Sequence, residues 1–200
     1  MVSLMDADDI IAEVQKHRLF YSYSGGGITF SGGEASSQPE LLDYLSEQLY
    51  DAGYSLAIET CGCFDFDRVK ASLERMDTVF IDIKHMDPDE HRRWTGVSNE
   101  LILRNVARLA ELDAEVVVRI PVIEGVNADP ENIRRAAQYV HNVLPNPAIE
   151  LLPYHSLGRI KYEALGIPYN HPEFSTPTKE HMKRLEQIIE EEGVRIVSFK

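Results

Sequence analysis

Glycine, charged and other polar residues recur at one kind of place in this 200-residue sequence, directly after a short apolar run. If those runs are parallel β-strands, their carboxyl ends meet at one edge of the sheet, where α/β barrels build their active sites. Any single segment is better explained by a solvated loop or a salt bridge, but five at one edge favour a shared binding site. The five segments are Ser31–Glu34, Glu59–Gly62, Asp82–His85, Arg119–Pro121 and Leu152–His155.

The first and third segments suit a zwitterionic, ribose-bearing ligand better than a metal ion. Glu34 and the backbone carbonyls near Gly32 and Gly33 can accept hydrogen bonds from an ammonium group. Lys84 can bind a carboxylate or a hydroxyl, and Asp82 can hold a ribose or a cation. Asp82 and Lys84 also lie two residues apart on one face of a strand, so they can simply pair with each other.

The remaining candidates also have two interpretations. His155 can contact a ring or a sugar, and Arg119 can form either a structural ion pair or a substrate contact. The histidines do not show the i, i+4 spacing of a zinc site on a helix. The sequence has no G-x-S-x-G elbow and no Walker loop.

The sequence contains two cysteines, Cys61 and Cys63. Cysteines at this spacing on a strand point the same way and bridge poorly. Two thiolates are also too few for a closed zinc site or for an iron–sulfur cluster held by cysteine alone. We therefore expect ordinary thiols at the end of a strand and no metal ligands.

Helix and strand patterns alternate along the chain, which is typical of a parallel sheet built from βαβ units. Six strands are too few for a closed eight-stranded barrel. We predict an α/β fold with an open, partial β/α barrel of the TIM type in one domain, residues 1–200. A doubly wound sheet is the alternative, although its G-x-G-x-x-G fingerprint is absent. The predicted strands are Ile28–Phe30, Ser55–Thr60, Thr78–Lys84, Glu115–Val122, Ala148–His155 and Arg195–Phe199, and the predicted helices begin near Asp6, Pro39, Phe66, Asn99, Asp129-Pro130 and Thr176-Pro177.

The composition narrows the classes of partner. The formal net charge of −13 argues against a nucleic-acid or anionic-membrane partner. No apolar run approaches the length of a membrane span, and the N-terminus lacks the basic and apolar regions of a signal peptide. We therefore expect a cytoplasmic protein.

Five motifs resemble, in order and spacing, the activating enzymes of glycyl radical enzymes, a radical S-adenosylmethionine family whose type member activates pyruvate formate-lyase. They are SGGGITFSGGE, ETCG, DIKHMD followed by HRRWTGVSNELILRN, RIPVIEGVN, and LLPYHSLGRIKYEALG. The resemblance implies a partial barrel that binds S-adenosylmethionine across the carboxyl ends of its strands. It assigns cofactor contacts to Gly32, Gly33, Glu34, Thr60, Asp82, Ile83, Lys84, Arg119 and His155.

The implied reaction uses a reduced [4Fe–4S] cluster to split S-adenosylmethionine into methionine and a 5′-deoxyadenosyl radical. The radical removes a hydrogen atom from a backbone glycine of the partner, a glycyl radical enzyme. A flavodoxin or a ferredoxin-type protein is the implied electron donor.

The sequence departs from the family at the cluster. The family's C-x-x-x-C-x-x-C motif belongs upstream of the helix that begins near Asp6, and this chain lacks it. We therefore expect a truncated activating enzyme, without the first strand and cluster loop and inactive by itself. One alternative is a cluster-free module that binds S-adenosylmethionine or the partner. Another is an aldolase-like barrel that uses Lys84 as a Schiff-base amine, which we disfavour because no apolar pocket around Lys84 is evident.

Overall fold

The computed structural model describes residues 5–156, 158, 162, 164–169 and 174–199. Six strands and eight α-helices are named in this part of the chain, with one short 3₁₀ helix, Ala35–Ser37. None of the helices described there is long and apolar enough to cross a membrane. The strands are β1 (Gly27–Phe30), β2 (Ser55–Thr60), β3 (Thr78–Asp82), β4 (Glu115–Val122), β5 (Ala148–Pro153) and β6 (Arg195–Ile196). The helices are α1 (Ala7–Gln15), α2 (Arg18–Ser24), α3 (Pro39–Asp51), α4 (Phe66–Leu73), α5 (Pro88–Thr95), α6 (Glu100–Leu109), α7 (Pro130–Val143) and α8 (Lys179–Glu191).

The strands form one parallel sheet in the sequential order β1-β2-β3-β4-β5-β6. Each strand therefore lies beside its predecessor, as in a β/α barrel, without the reversal of strand order that defines a doubly wound sheet. Within the described residues β1 and β6 pair with one neighbour each, so the sheet is open. The predicted partial barrel is confirmed, and the doubly wound alternative is wrong.

The two faces of the sheet have different partners. Side chains such as those of Ile58 and Val118 are fully buried in the main core, together with residues of α3, α4, α6, α7 and α8. The opposite face carries a second, small apolar cluster to which no described helix contributes. Its members are Phe80, Val117 and Ala148, with Ala57 and Val197 packed against them.

Two helices were not predicted. α2 has no buried residue, so it lacks the periodic buried stripe by which a helix is recognised. α5 has one buried residue, His91, and begins at an Asp–Pro pair in which the carboxylate of Asp87 accepts hydrogen bonds from the backbone N–H of Asp89 and Glu90.

Two predicted helix starts need correction. Asn99 precedes α6, but its side-chain amide does not cap that helix; it donates to the carbonyls of His85 and Met86 at 2.9 and 3.0 Å. The last helix begins later than Thr176-Pro177, because Thr178 is its N-cap and accepts a hydrogen bond from the backbone N–H of His181 at 3.1 Å.

Candidate functional site

The loop after β1 leaves its backbone open. Gly32 has a φ of +108°, in the region that favours glycine. A Cβ atom added at Gly32 or at Gly33 would meet no protein atom within 4 Å. The loop therefore presents bare backbone on which a ligand can lie directly.

Glu34, at the end of this loop, is hydrogen-bonded to the end of β2. Its Oε1 accepts hydrogen bonds from the hydroxyls of Ser36 and Thr60, both at 2.7 Å, and its Oε2 accepts the backbone N–H of Cys61 at 2.8 Å. Burial acts to raise the pKa of Glu34, but the hydrogen bonds from Cys61, Thr60 and Ser36 outweigh it and lower the pKa below 4.5. The carboxylate is thus ionised and occupied by the protein's own donors.

This arrangement gives two of the predicted site residues, Glu34 and Thr60, a structural role. The Glu34 carboxylate already has protein donors where the sequence analysis expected a ligand ammonium, and the Thr60 hydroxyl is committed to Glu34. Both side chains hold the loop in place. Gly32 and Gly33 are both exposed, so their backbone carbonyls remain as candidate acceptors for a ligand.

The two cysteines have different surroundings. Burial and a hydrogen bond to Glu34 raise the pKa of Cys61 to about 11, so its thiol stays protonated at neutral pH. Cys63 is exposed. In the described part of the chain no three His, Cys, Asp or Glu side chains come together as possible metal ligands.

The end of β3 supplies Asp82, Ile83 and Lys84. Lys84 Nζ donates to Asp82 Oδ2 at 2.5 Å, so the pairing that the spacing allowed does form. Both side chains keep part of their surface exposed, 28% for Asp82 and 37% for Lys84. The Ile83 side chain is buried in the main core and its N–H donates to the carbonyl of Arg119, which leaves it little contact with a ligand.

Arg119 of β4 is engaged by two carboxylates on the face of the sheet that the described helices do not cover. Its Nε donates to Glu150 at 2.7 Å and its Nη1 to Glu59 at 2.6 Å. The guanidinium also lies 3.8 Å from the centre of the Phe80 ring. Burial acts to lower the pKa of Arg119, but the bonds to Glu59 and Glu150 outweigh it and raise the pKa. The structural ion pair, one of the two interpretations of Arg119, is therefore present.

His155 lies two residues beyond β5 and is exposed. The backbone N–H of Tyr154 beside it donates to the carbonyl of Val122 at the end of β4, which keeps His155 at the same edge of the sheet. Much of the LLPYHSLGRIKYEALG motif beyond His155, namely residues 157, 159–161 and 163, falls outside the described residues.

An apolar cleft of about 310 Å³ lies beside Lys84, at the ends of β3 and β4. The expectation that Lys84 has no apolar pocket was wrong, because the unpredicted helix α5 and the residues after β4 form one. The Schiff-base alternative gains little from the cleft, since Lys84 Nζ is held by Asp82. The described residues that line the cleft are Lys84, His85, His91, Trp94, Thr95, Pro121, Ile123, Val126, Asn127 and Phe174.

Sequence reasoning missed the residues that support this edge of the sheet. Glu150 is 3% exposed and accepts a hydrogen bond from Arg119. The pattern that could have identified it is a charged residue inside an otherwise apolar strand. His91, 1% exposed, lies on the unpredicted helix α5.

Comparisons with known proteins identify the class of protein to which this chain belongs. The family model of the Radical SAM superfamily matches residues 2–137. The trans-4-hydroxy-L-proline dehydratase activating enzyme of Clostridioides difficile is 36% identical over 187 residues, covering 91% of this chain and 61% of the relative. The (2S)-3-sulfopropanediol dehydratase activating enzyme of Klebsiella oxytoca is 34% identical over 188 residues, covering 93% of this chain and 59% of the relative.

A solved structure points to the same family of activating enzymes. The crystal structure of a domain of pyruvate-formate lyase-activating enzyme from Bacteroides vulgatus ATCC 8482 superposes with a TM-score of 0.73 at 32% identity, covering 88% of this chain and 99% of that domain. The chain belongs to the radical SAM superfamily, and within it to the family of the glycyl radical enzyme activating enzymes. It spans 61% and 59% of the length of the two curated relatives.

The family uses S-adenosylmethionine and a [4Fe–4S] cluster, and the residues of this chain fit the two groups differently. The bare backbone at Gly32 and Gly33 and the partly exposed Asp82 and Lys84 suit the polar amino-acid end of S-adenosylmethionine. The cluster does not fit, because the chain has two cysteines and the described residues bring no three His, Cys, Asp or Glu side chains together as possible ligands.

Proposed function

We propose that this chain carries the S-adenosylmethionine-binding edge of a glycyl radical enzyme activating enzyme. The observation that carries the proposal is the open backbone at Gly32 and Gly33, at the same sheet edge as Asp82, Lys84 and His155. The chain's membership of the family supports S-adenosylmethionine as the ligand.

Each proposed role is given to a group that still has an unused hydrogen-bond donor or acceptor. The carbonyls of Gly32 and Gly33 accept the amino group of the methionine moiety. Lys84 binds its carboxylate, because an ammonium held by one carboxylate still has further N–H donors. The remaining assignments are Asp82 for the ribose, His155 for the adenine side, the backbone of Ile83 as a lining contact, and Glu34, Thr60 and Arg119 as residues that position the edge.

The proposed partner is a glycyl radical enzyme, the kind of protein on which the named relatives act. The open sheet supports this choice, because a backbone glycine of another protein has to reach the bound cofactor. A flavodoxin or ferredoxin-type electron donor and a cytoplasmic location are also part of the proposal, and both follow from the sequence analysis.

Anaerobic reconstitution with iron and sulfide tests the cysteine argument. We expect no stable four-iron absorbance band on this chain and no cleavage of S-adenosylmethionine under dithionite, because the chain has two cysteines. A stable band accompanied by cleavage would show that this chain ligates the cluster and would overturn the argument.

A second candidate function is a cluster-free module that binds S-adenosylmethionine or the partner without catalysis, and the small number of cysteines favours it. Calorimetry with S-adenosylmethionine on the purified chain separates the two. Micromolar affinity without iron supports the module. Much weaker affinity supports the activating enzyme, because binding of S-adenosylmethionine there would depend in part on a contact with the cluster iron, and that contact is missing without iron.

A further inference from the structure

The backbone that follows β3 leaves the sheet just before Lys84. The register of β3 and β4 ends at Asp82 and Arg119, and one more hydrogen bond, from the N–H of Ile83 to the carbonyl of Arg119, continues the ladder. Pro121 of β4 has no N–H to donate, so it cannot extend the ladder further. The carbonyl of Lys84 therefore needs a donor from elsewhere, because few backbone groups of a partly buried segment stay unpaired.

Asn127, in the loop after β4, supplies that donor. Its Nδ2 donates to the carbonyls of Lys84 and Pro121, both at 2.7 Å, and its Oδ1 accepts the N–H of Ile123 at 2.8 Å. The residue is 2% exposed. Both N–H donors and the carbonyl oxygen of this side chain are used inside the protein. One buried amide thus holds the end of β3 to the end of β4 where the backbone ladder stops.

A second buried asparagine holds Asn127 in turn. The Nδ2 of Asn132, in the first turn of α7, donates to the backbone carbonyl of Asn127 at 3.0 Å, and its Oδ1 accepts the N–H of Met86 at 2.8 Å. Asn99 adds its two bonds to the carbonyls of His85 and Met86. Side-chain amides therefore hold the backbone at three consecutive positions just past β3.

The side chain of Lys84 depends on this backbone for its place. It is 37% exposed, and its Nζ donates to Asp82 Oδ2 at 2.5 Å. A lysine ammonium is carried on a flexible four-carbon stem, so the position of its charge is set by the backbone as much as by one ion pair. Groups that bind a ligand have to be held within about 0.5 Å of the productive geometry.

We propose that Asn127 is a positioning residue, which places the Lys84 ammonium for the carboxylate of S-adenosylmethionine by holding the Lys84 backbone to the end of β4. The proposal rests on the function proposed above, in which Lys84 binds that carboxylate. Asn127 acts through Lys84, because the polar groups of its own side chain already have partners in the protein.

Competitive labelling with trace acetic anhydride tests the position of Lys84 without any ligand. The measured quantity is the acetylation of Lys84 relative to that of the exposed Lys183 in the full chain, followed by peptide mass spectrometry. We expect Asn127→Ala to raise this ratio about threefold, the size of a partly exposed ion pair that is lost. An unchanged ratio in Asn127→Ala overturns the proposal.

Asn105→Ala is the matched control. Asn105 is also 2% exposed, and its Nδ2 donates to two carbonyls, those of Gly62 and Phe64 after β2, both at 2.9 Å. Its loss removes the same kind of buried amide without touching the Lys84 backbone, so we expect the labelling ratio to stay unchanged. An equal rise in Asn105→Ala and Asn127→Ala would show a general loss of structure and overturns the proposal.

Calorimetry with S-adenosylmethionine connects the position of Lys84 to binding. We expect Asn127→Ala to weaken binding about tenfold, the size of one hydrogen bond to a charged group. Added to Lys84→Ala, the same change should weaken binding no further, because the two residues act as one unit. Equal weakening with and without the Lys84 ammonium overturns the proposal. Absence of binding to the unmodified chain contradicts the proposed function, while the labelling ratio still decides whether Asn127 places the ammonium.

A measurement on the unmodified chain covers the case in which Asn127→Ala does not fold. We expect both side-chain amide protons of Asn127 to exchange slowly with solvent in NMR spectra, because both are buried and hydrogen-bonded, whereas those of the exposed Asn142 exchange fast. Equally fast exchange at Asn127 and Asn142 would show that Asn127 does not hold the Lys84 backbone and overturns the proposal.

Discussion

At the scale of single residues, Glu34 holds the loop after β1 in shape. Its carboxylate accepts four hydrogen bonds, from the hydroxyl and backbone N–H of Ser36, the hydroxyl of Thr60 and the N–H of Cys61, and the last two connect the loop after β1 to the end of β2. The glycine loop is therefore held in shape before any ligand arrives, which reduces the entropy lost on binding.

Acid should weaken this connection. Because the pKa of Glu34 is lower in the folded state, its contribution to stability is fully present above pH 4.5 and is lost as the pH falls through the folded-state value. We expect Glu34→Gln to lower the free energy of unfolding near neutral pH and to flatten its fall below pH 4.5. Chemical denaturation at several pH values measures both effects. Glu111→Gln, at an exposed position, is the control; a change there as large as at Glu34 would contradict this role.

The two thiols should differ in reactivity. The pKa of Cys61 is raised to about 11, so little thiolate is available at mildly alkaline pH, and its side chain is less exposed than that of Cys63. We expect iodoacetamide to modify Cys63 well before Cys61, as followed by peptide mass spectrometry. Faster modification of Cys61 would show that the Glu34 contact is not formed.

At the scale of the elements, Arg119 connects three strands through the face of the sheet that the described helices leave uncovered. It binds Glu59 of β2 and Glu150 of β5 from its place on β4, across the Phe80 ring of β3. Glu150 also accepts the backbone N–H of Phe199 at 2.7 Å, which ties the segment after β6 to the same network.

Breaking this network should be costly. Arg119→Met leaves the Glu150 carboxylate, 3% exposed, without its cation, and we expect the free energy of unfolding to fall by about 3–5 kcal/mol. The double variant Arg119→Met/Glu150→Leu should recover much of the loss. Arg134→Met removes a more exposed ion pair with Glu192 and should lower the free energy of unfolding much less. Equal losses in Arg119→Met and Arg134→Met, measured by urea unfolding, would contradict this assignment.

The strands could be predicted from sequence because each is a β-branched or apolar run with polar residues at its end. Helix α7 was predictable from Asp129-Pro130 and its apolar spacing, but α5 was missed despite the same Asp–Pro start, because it buries only His91. The site was predicted as a set of residues at one edge. The donors to Glu34 and the partners of Arg119 were not, because they come from neighbouring strands and depend on sheet register.

At the scale of the whole molecule, one architecture explains both the site and its access. Sequential parallel strands bring the polar strand ends to one edge of the sheet. Five of the helices pack against one face of the sheet and form the main core with it. The described sheet is open, and the proposed function uses this opening for the approach of another protein to the proposed cofactor position.

Binding of S-adenosylmethionine at the glycine loop is the central claim, and an NMR titration of the labelled chain tests it most directly. We expect the largest shifts at the backbone amides of Gly32, Gly33 and Lys84, and small shifts in α8. Gly33→Val should abolish the shifts and keep the melting temperature, because its Cβ meets no protein atom within 4 Å and its φ is not positive. Absence of shifts at the loop, or the same shifts in Gly33→Val, would contradict the account.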